Sequence, residues 1–233
     1  MQKEALKKIA IAIDGPAASG KSTTAKLVAQ KVGYIHIDTG AMYRAITLKA
    51  LDKKLDLNDK EEIVRLAETT VIRLEAVDSA TKVFLDDTEV TNKIRMPVVS
   101  RSVSAVSSYK GVREVMVSVQ QKMAEDGGVV LEGRDIGTVV LPQAELKIFM
   151  VAGVEERARR RKKDLALSGV DAEEKDLIKE IEARDLKDST REESPLRKAK
   201  DAIELDTSNL TIEEQVDFIV ERANKIIHQV RDL

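Results

Sequence analysis

The stretch that most constrains this chain is Gly15-Pro16-Ala17-Ala18-Ser19-Gly20-Lys21-Ser22. It follows the apolar run Ile9-Ala10-Ile11-Ala12-Ile13 and leads into a helical pattern through Ala25, Leu27, Val28 and Ala29. An unbroken apolar run of that length reads as a buried parallel strand. The loop is therefore expected at a strand's carboxyl end, where open α/β sheets bind their ligands. Its glycines let successive backbone N–H groups point inward, the helix starting near Gly20 adds the positive end of its dipole, and Lys21 brings a full charge. The pattern is a P-loop. It makes Gly15, Pro16, Ala17, Ala18, Ser19, Gly20, Lys21, Ser22 and Thr23 candidates for holding ATP phosphates, and the Ser22 hydroxyl a candidate for holding Mg²⁺ or one of its waters.

A length of 233 residues with 42% apolar content allows one large domain, or a core with insertions. A net charge of -2 provides no global field for nucleic acid, so any anion site must be local. The chain has no cysteine, and its two histidines, His36 and His228, lie far apart, which argues against disulfides, thiol nucleophiles and a transition-metal centre. Met1-Gln2-Lys3-Glu4 contains no apolar signal segment, and no run approaches the length of a membrane helix. These features predict a soluble, cytoplasmic enzyme with no membrane or nucleic-acid partner. With no long heptad pattern, a monomer is expected.

After the P-loop helix, Gly33 marks a break and Tyr34-Ile35-His36-Ile37-Asp38 reads as a second strand. A right-handed βαβ unit brings Asp38, Thr39 and Gly40 to the sheet edge that holds the P-loop. The next helix, expected from Ala41 to Asp52, carries Arg44 in its first turn, where a cation opposes the helix dipole unless an anion binds there. Arg44 could equally be a plain exposed arginine. A helix over 60–68 precedes short antiparallel strands at Thr70–Leu74, Lys82–Asp86 and Thr88–Val90, an α+β insertion in the α/β core. Helices over 98–107 and 112–125 return to a buried strand, Val129-Val130-Leu131, that ends in Glu132. In a P-loop context that carboxylate is a candidate for Mg²⁺, directly or through water, although apolar runs ending in an acid are common. Strands at Leu146–Val151 and Ala202–Asp206, and a closing helix from Thr211 to about Val230, complete five parallel strands.

Between the last two strands, Arg157 and the run Arg159 to Lys163 form a dense basic helix that Gly169 ends. It reads either as a solvated face balanced by Glu155, Glu156 and Asp164 or as a mobile lid whose arginines close over a phosphoryl group. On the following helix, Arg184, Asp188 and Arg191 share one face, as a surface salt bridge or as part of a site.

Three segments together, Ile13 to Ser22, Asp38-Thr39-Gly40-Ala41-Met42-Tyr43-Arg44 and Gly133-Arg134-Asp135-Ile136-Gly137-Thr138-Val139-Val140, resemble those of the bacterial cytidylate kinases. Glu155-Glu156-Arg157-Ala158, Arg184-Asp185 with Asp188 and Arg191, and Leu205-Asp206-Thr207-Ser208 extend the likeness over nearly the whole chain. The resemblance implies an α/β P-loop NTPase fold, in which a five-stranded parallel sheet is flanked by helices and carries an inserted α+β monophosphate-binding domain and a helical lid. It divides the chain into a core (1–66, 106–153 and 172–233), an insert (67–105) and a lid (154–171). It implies transfer of the ATP γ-phosphate to CMP or dCMP with Mg²⁺. Lys21, Arg157, Arg160, Arg134 and Arg191 would act on the phosphates, and Ser22 and Glu132 on the metal. Thr39, Arg44, Ser104, Arg113, Arg134, Asp135, Arg184, Asp188 and Arg191 would hold the acceptor. Of these, Ser104, Arg113 and Asp135 would read cytosine, and Arg184 with Asp188 would lie near the ribose. Thr39 stands where relatives often carry Ser, and the hydroxyl survives. A kinase for another small acceptor, such as a shikimate-like acid, and a nucleotide switch are the alternatives. The switch usually needs an Asn-Lys-x-Asp motif, which neither Asn92-Lys93 nor Asn224-Lys225 continues.

Overall fold

The computed structural model describes residues 8–77, 80–167 and 169–229; Met1 to Glu4 and Val230 lie outside them. The P-loop strand β1 (Ala10–Asp14) leads to helix α1 (Lys21–Val32), and β2 (Ile35–Asp38) passes directly into α2 (Thr39–Asp52). Helix α3 (Lys60–Glu68) follows, then β3 (Ile72–Val77), β4 (Ala80–Leu85) and β5 (Thr88–Glu89). Next come α4 (Pro97–Val106), α5 (Lys110–Met123), β6 (Val129–Gly133), a π-helical turn (Ile136–Val140) and β7 (Leu146–Val151). Finally α6 (Val154–Leu167), α7 (Glu174–Thr190), β8 (Ile203–Asp206) and α8 (Ile212–Gln229) end the described chain.

β1, β2, β6, β7 and β8 form a parallel five-stranded sheet in the order β2-β6-β1-β7-β8, while β3, β4 and β5 make a separate antiparallel sheet. Side chains of β1 alternate between the faces. Ile11 and Ile13 enter a core closed by Val28 of α1 and Ile219 of α8, whereas Ala12 faces a larger core with Met42, Ile46, Ile63, Val112 and Met116. Ile72, Val83 and Leu85 of the small sheet belong to that larger core. Among the described residues no helix is long and apolar enough to cross a membrane.

Two expectations are corrected in detail. Helix α2 begins at Thr39 rather than Ala41, because the Asp38 carboxylate caps it by accepting from the Ala41 N–H at 2.9 Å. Arg44 therefore lies in the second turn. Helix α7 ends at Thr190, and Arg191 leaves it with extended backbone (ψ 144°), so Arg191 caps the helix instead of continuing its face. The closing helix starts with a reciprocal cap, in which the Thr211 hydroxyl accepts from the Glu214 N–H and the Glu214 carboxylate accepts from the Thr211 N–H.

Gly15 shows why the loop tolerates no side chain at its first position. Its φ is +153°, and a Cβ there would lie 2.1 Å from the Met150 carbonyl oxygen on β7. Gly15→Ala is expected to lose more than about 3 kcal/mol of stability, since neither backbone can give way without breaking sheet pairing. Urea denaturation measures this, and a wild-type midpoint would refute the steric account.

Candidate active site

The P-loop is fastened by buried hydrogen bonds to the elements around it. The buried Thr207 hydroxyl, just beyond β8, lies 3.1 Å from the carbonyl oxygens of Ser19 and Val151, and the Thr24 hydroxyl donates to Gln215 of α8 at 2.8 Å. Gly20 caps α1 with φ 93°, leaving that helix's N-terminus free of any side-chain cap. Lys21 is only 5% exposed, and its Nζ donates to the Pro16 carbonyl at 2.7 Å and reaches the Ser19 hydroxyl at 3.4 Å. Burial, then repulsion by Arg134, pushes its pKa down to about 7. Such a lysine is strained as a cation until an anion arrives.

β6 delivers the opposite side of the site. Asp14, at the end of β1, accepts from the N–H groups of Ile136 and Gly137 at 2.8 and 2.7 Å, which pins the π-helical turn against the P-loop strand. Burial outweighs those bonds and raises the Asp14 carboxyl to about 6. Gly133 packs so tightly that a Cβ would meet Ile136 and Thr39 at 2.7 Å. Arg134 and Asp135 are thereby presented from a rigid turn.

Cations converge on the space beyond Lys21. Arg134 donates to Asp188 at 2.8 Å, and Arg44 donates to Asp38 at 2.8 Å. The pair Arg113–Asp135 is buried, and Arg191 lies 3.7 Å from the same carboxylate. Burial and then repulsion from Arg134 lower Arg184 to about 10, with Arg44 and Arg161 adding to the repulsion. The buried Nε atoms of Arg44, Arg113 and Arg184 have no hydrogen-bond partner. With Arg134, Arg44 and Arg161 repelling Arg184, a bound anion would both pair free donors and relieve that repulsion. Against the upward push of burial, Arg134 holds the Asp188 carboxyl below its ordinary range, so Asp188 stays ionised as the counterion. Asp188 thus pairs across the site with Arg134, not with Arg184 along a solvent face.

The Thr39 hydroxyl donates to the Glu132 carbonyl at 2.7 Å, tying α2 to β6. Ser104 is half-buried on α4, and Arg113 donates to the nearby Ser107 carbonyl at 3.1 Å. Ser22 and Glu132 meet: the Ser22 hydroxyl donates to Glu132 Oε2 at 2.7 Å. A hydroxyl and a carboxylate are hard oxygen donors and suit Mg²⁺, which takes one or two protein ligands and completes its shell with phosphate oxygens and water. Among the described residues no cluster of three His, Cys, Asp or Glu could hold a metal by itself.

Residues 11–225 match the family model described as cytidylate kinase. The chain is 54% identical over 215 residues to a cytidylate kinase of Bacillus subtilis (strain 168), covering 92% of this chain and 96% of that protein. It is 52% identical over 222 residues to one of Caldicellulosiruptor saccharolyticus, covering 95% and 98%. The chain belongs to the cytidylate kinase family. Among solved structures, a shikimate kinase from Bacteroides thetaiotaomicron aligns with 94% of this chain and 98% of its own, at 13% identity and a TM-score of 0.48, too distant to bear on the substrate.

In this kinase the basic helix α6 is divided in its duties. Arg157 is buried: its Nη1 donates to the Ala17 carbonyl at 3.2 Å and pairs with Asp185, and its Nε donates to the Ala152 carbonyl at 3.0 Å. Arg160 donates to the Ser19 carbonyl at 3.2 Å and to the Thr207 carbonyl at 2.6 Å. Both arginines grip the P-loop backbone. Arg161 is the one whose charge acts on Arg184 across the site. Arg159 is 60% exposed and pairs with Glu156.

Sequence reasoning passed over Asp14, His36 and Asp185 as site residues, and it had Arg161 only as one of the basic run. Asp185 accepts from the Ala17 N–H at 3.3 Å while pairing with Arg157, which donates to the Ala17 carbonyl, so α7 and α6 together hold both backbone polar groups of Ala17. These partners are separated by as many as 168 residues, and no local pattern announces them. Only the position of Asp185 beside Arg184 hinted at a role.

Proposed function

We propose that this kinase transfers the γ-phosphate of Mg²⁺-ATP to CMP or dCMP, giving ADP and CDP or dCDP. The observation that carries the reading is that the charges of Arg134 and Arg184 oppose that of the buried P-loop lysine, while Arg44 and Arg161 add to the repulsion on Arg184, a gathering of cations that bound phosphates would offset. An acceptor oxygen attacks the γ-phosphorus in line, the bond from that phosphorus to the β,γ-bridging oxygen breaks, and ADP leaves with the bond's electrons. The acceptor is a phosphate monoester with a second pKa near 6, so its oxygen is already ionised at neutral pH and needs no general base. Mg²⁺ bound with ATP neutralises phosphate charge, and Ser22 and Glu132 are the residues that would hold it, directly or through water.

Lys21 and the P-loop N–H groups fix the donor phosphates. Arg44, Arg134 and Arg191 orient the acceptor phosphate, Arg113, Asp135 and Ser104 read cytosine, and Arg184 with Asp188 sits by the ribose. Bringing two polyanions together in a dry site is the main barrier, and fixed cations around the transferring group lower it without reorganising. Arg157 and Arg160 support this from below the P-loop. In this reading residues 67–105 are the insert that brings Ser104 to the acceptor, 154–171 are the lid segment whose Arg157 and Arg160 hold the P-loop, and the remainder is the core.

The test is ADP formation from Mg²⁺-ATP with CMP, dCMP, UMP, AMP, GMP or no acceptor. Strong turnover with CMP or dCMP is expected, with little on AMP or GMP. ATP binding without turnover on any monophosphate would refute the assignment.

A further inference from the structure

His36 has no role in the account above, yet its ring touches the group on which the metal reading depends. In the parallel register of β2 and β6, His36 lies opposite Val130 and Asp38 opposite Glu132, so His36 and Asp38 share one face of β2 and flank the Glu132 side chain. Asp38 is engaged by Arg44 and by the start of α2. The Glu132 carboxylate, 3% exposed, is held at both oxygens: Oε2 accepts from Ser22 at 2.7 Å, and Oε1 lies 3.1 Å from His36 Nε2. A carboxylate oxygen accepts, so in this hydrogen bond His36 Nε2 is the donor. The other ring nitrogen, Nδ1, is buried with no partner, so the hydrogen bond to Glu132 is what orients the ring.

We propose that His36 is a positioning residue for the Mg²⁺ of Mg²⁺-ATP. By holding Oε1 it freezes the torsions of Glu132 and keeps Oε2 beside the Ser22 hydroxyl. The two oxygen donors are then arranged before the nucleotide arrives. Outer partners that orient metal-binding groups commonly change metal affinity tenfold or more. Here phosphate oxygens supply most of the shell, so an effect of about threefold to tenfold is expected. The inference rests on the reading of Ser22 and Glu132 as the metal pair.

The experiment compares His36→Phe, His36→Gln and His36→Asn with wild type and with Glu132→Gln. It measures the Mg²⁺ concentration for half-maximal rate and, by calorimetry, ATP affinity with saturating Mg²⁺ and in EDTA. A glutamine amide N–H reaches the place of Nε2, whereas an asparagine amide reaches only that of Nδ1. His36→Phe and His36→Asn should raise the Mg²⁺ requirement about threefold to tenfold and reduce the Mg²⁺ enhancement of ATP affinity by the same factor. Affinity in EDTA should stay within about twofold of wild type, and His36→Gln should stay within about twofold in every measurement. If His36→Phe does not fold, the contrast between Gln and Asn carries the test. The inference is overturned if the His36 variants leave the Mg²⁺ requirement unchanged while Glu132→Gln raises it. It is also overturned if Gln is as impaired as Asn, or if affinity in EDTA falls equally. If Glu132→Gln has no effect, the metal reading itself fails and takes the inference with it.

Discussion

Lys21→Met is expected to lower kcat by about a thousandfold, or about 4 kcal/mol of transition-state stabilisation, while the fold survives. The methionine preserves the volume of the stem, and burial already disfavours the ammonium, so the substitution removes a poorly solvated cation instead of creating a cavity. The melting temperature should be unchanged or higher. The same group makes ATP binding proton-linked in the wild-type enzyme. With a pKa lowered from 10.5 to about 7, Lys21 is mostly neutral at pH 8 when unliganded, and bound polyphosphate restores its charge. ATP binding should therefore take up about 0.9 proton at pH 8 and about 0.5 at pH 7. The sign follows from the bound state having the higher pKa: affinity weakens as pH rises from 7 to 9. Calorimetry in buffers of different ionisation enthalpy measures the uptake near pH 8, where the terminal phosphate is already ionised. Uptake that persists in Lys21→Met would assign the proton to another group, and near-normal turnover in that variant would refute the role of Lys21.

Asp135→Ala should lower the CMP-to-UMP ratio of kcat/KM by about a hundredfold, or about 3 kcal/mol of discrimination. Arg113 occupies one oxygen of Asp135 and Arg191 approaches the other, leaving lone pairs of the carboxylate free. Cytosine offers its amino donor to such a carboxylate and its O2 and N3 acceptors to Arg113. Uracil would turn O4 toward the carboxylate and leave two acceptors opposed, a mismatch that a buried polar site punishes heavily. The alanine variant also leaves Arg113 buried without its partner, so a stability loss of about 3 to 5 kcal/mol is expected beside the change in specificity. The ratio is insensitive to the fraction of folded enzyme, because both substrates meet the same molecules. An unchanged ratio would remove Asp135 from base recognition.

The P-loop could be read from the chain because it is local. Strand, tight turn and helix follow one another within residues 10–32, and each backbone requirement is met by the residue at that position, from Gly15 against Met150 to Gly20 capping α1. The parallel sheet was legible for a related reason: strands buried on both faces leave apolar runs, and Ile11 to Ile13, Val129 to Leu131 and Ile148 to Val151 all do so. Helix ends were harder to place, because they depend on caps such as Asp38 on α2 and on the turn of Arg191 out of α7.

The partnerships inside the site had no such local signal. Hydrogen bonds and ion pairs act over a few ångströms in space whatever the distance along the chain, so Asp14 with Ile136 and His36 with Glu132 leave no spacing to recognise. The chain's order of residues accounts for its loop, its sheet and the residue types that gather at one edge. Folding alone decides which arginines keep their counterions and which donors stay unpaired, because that division depends on burial and on three-dimensional neighbours.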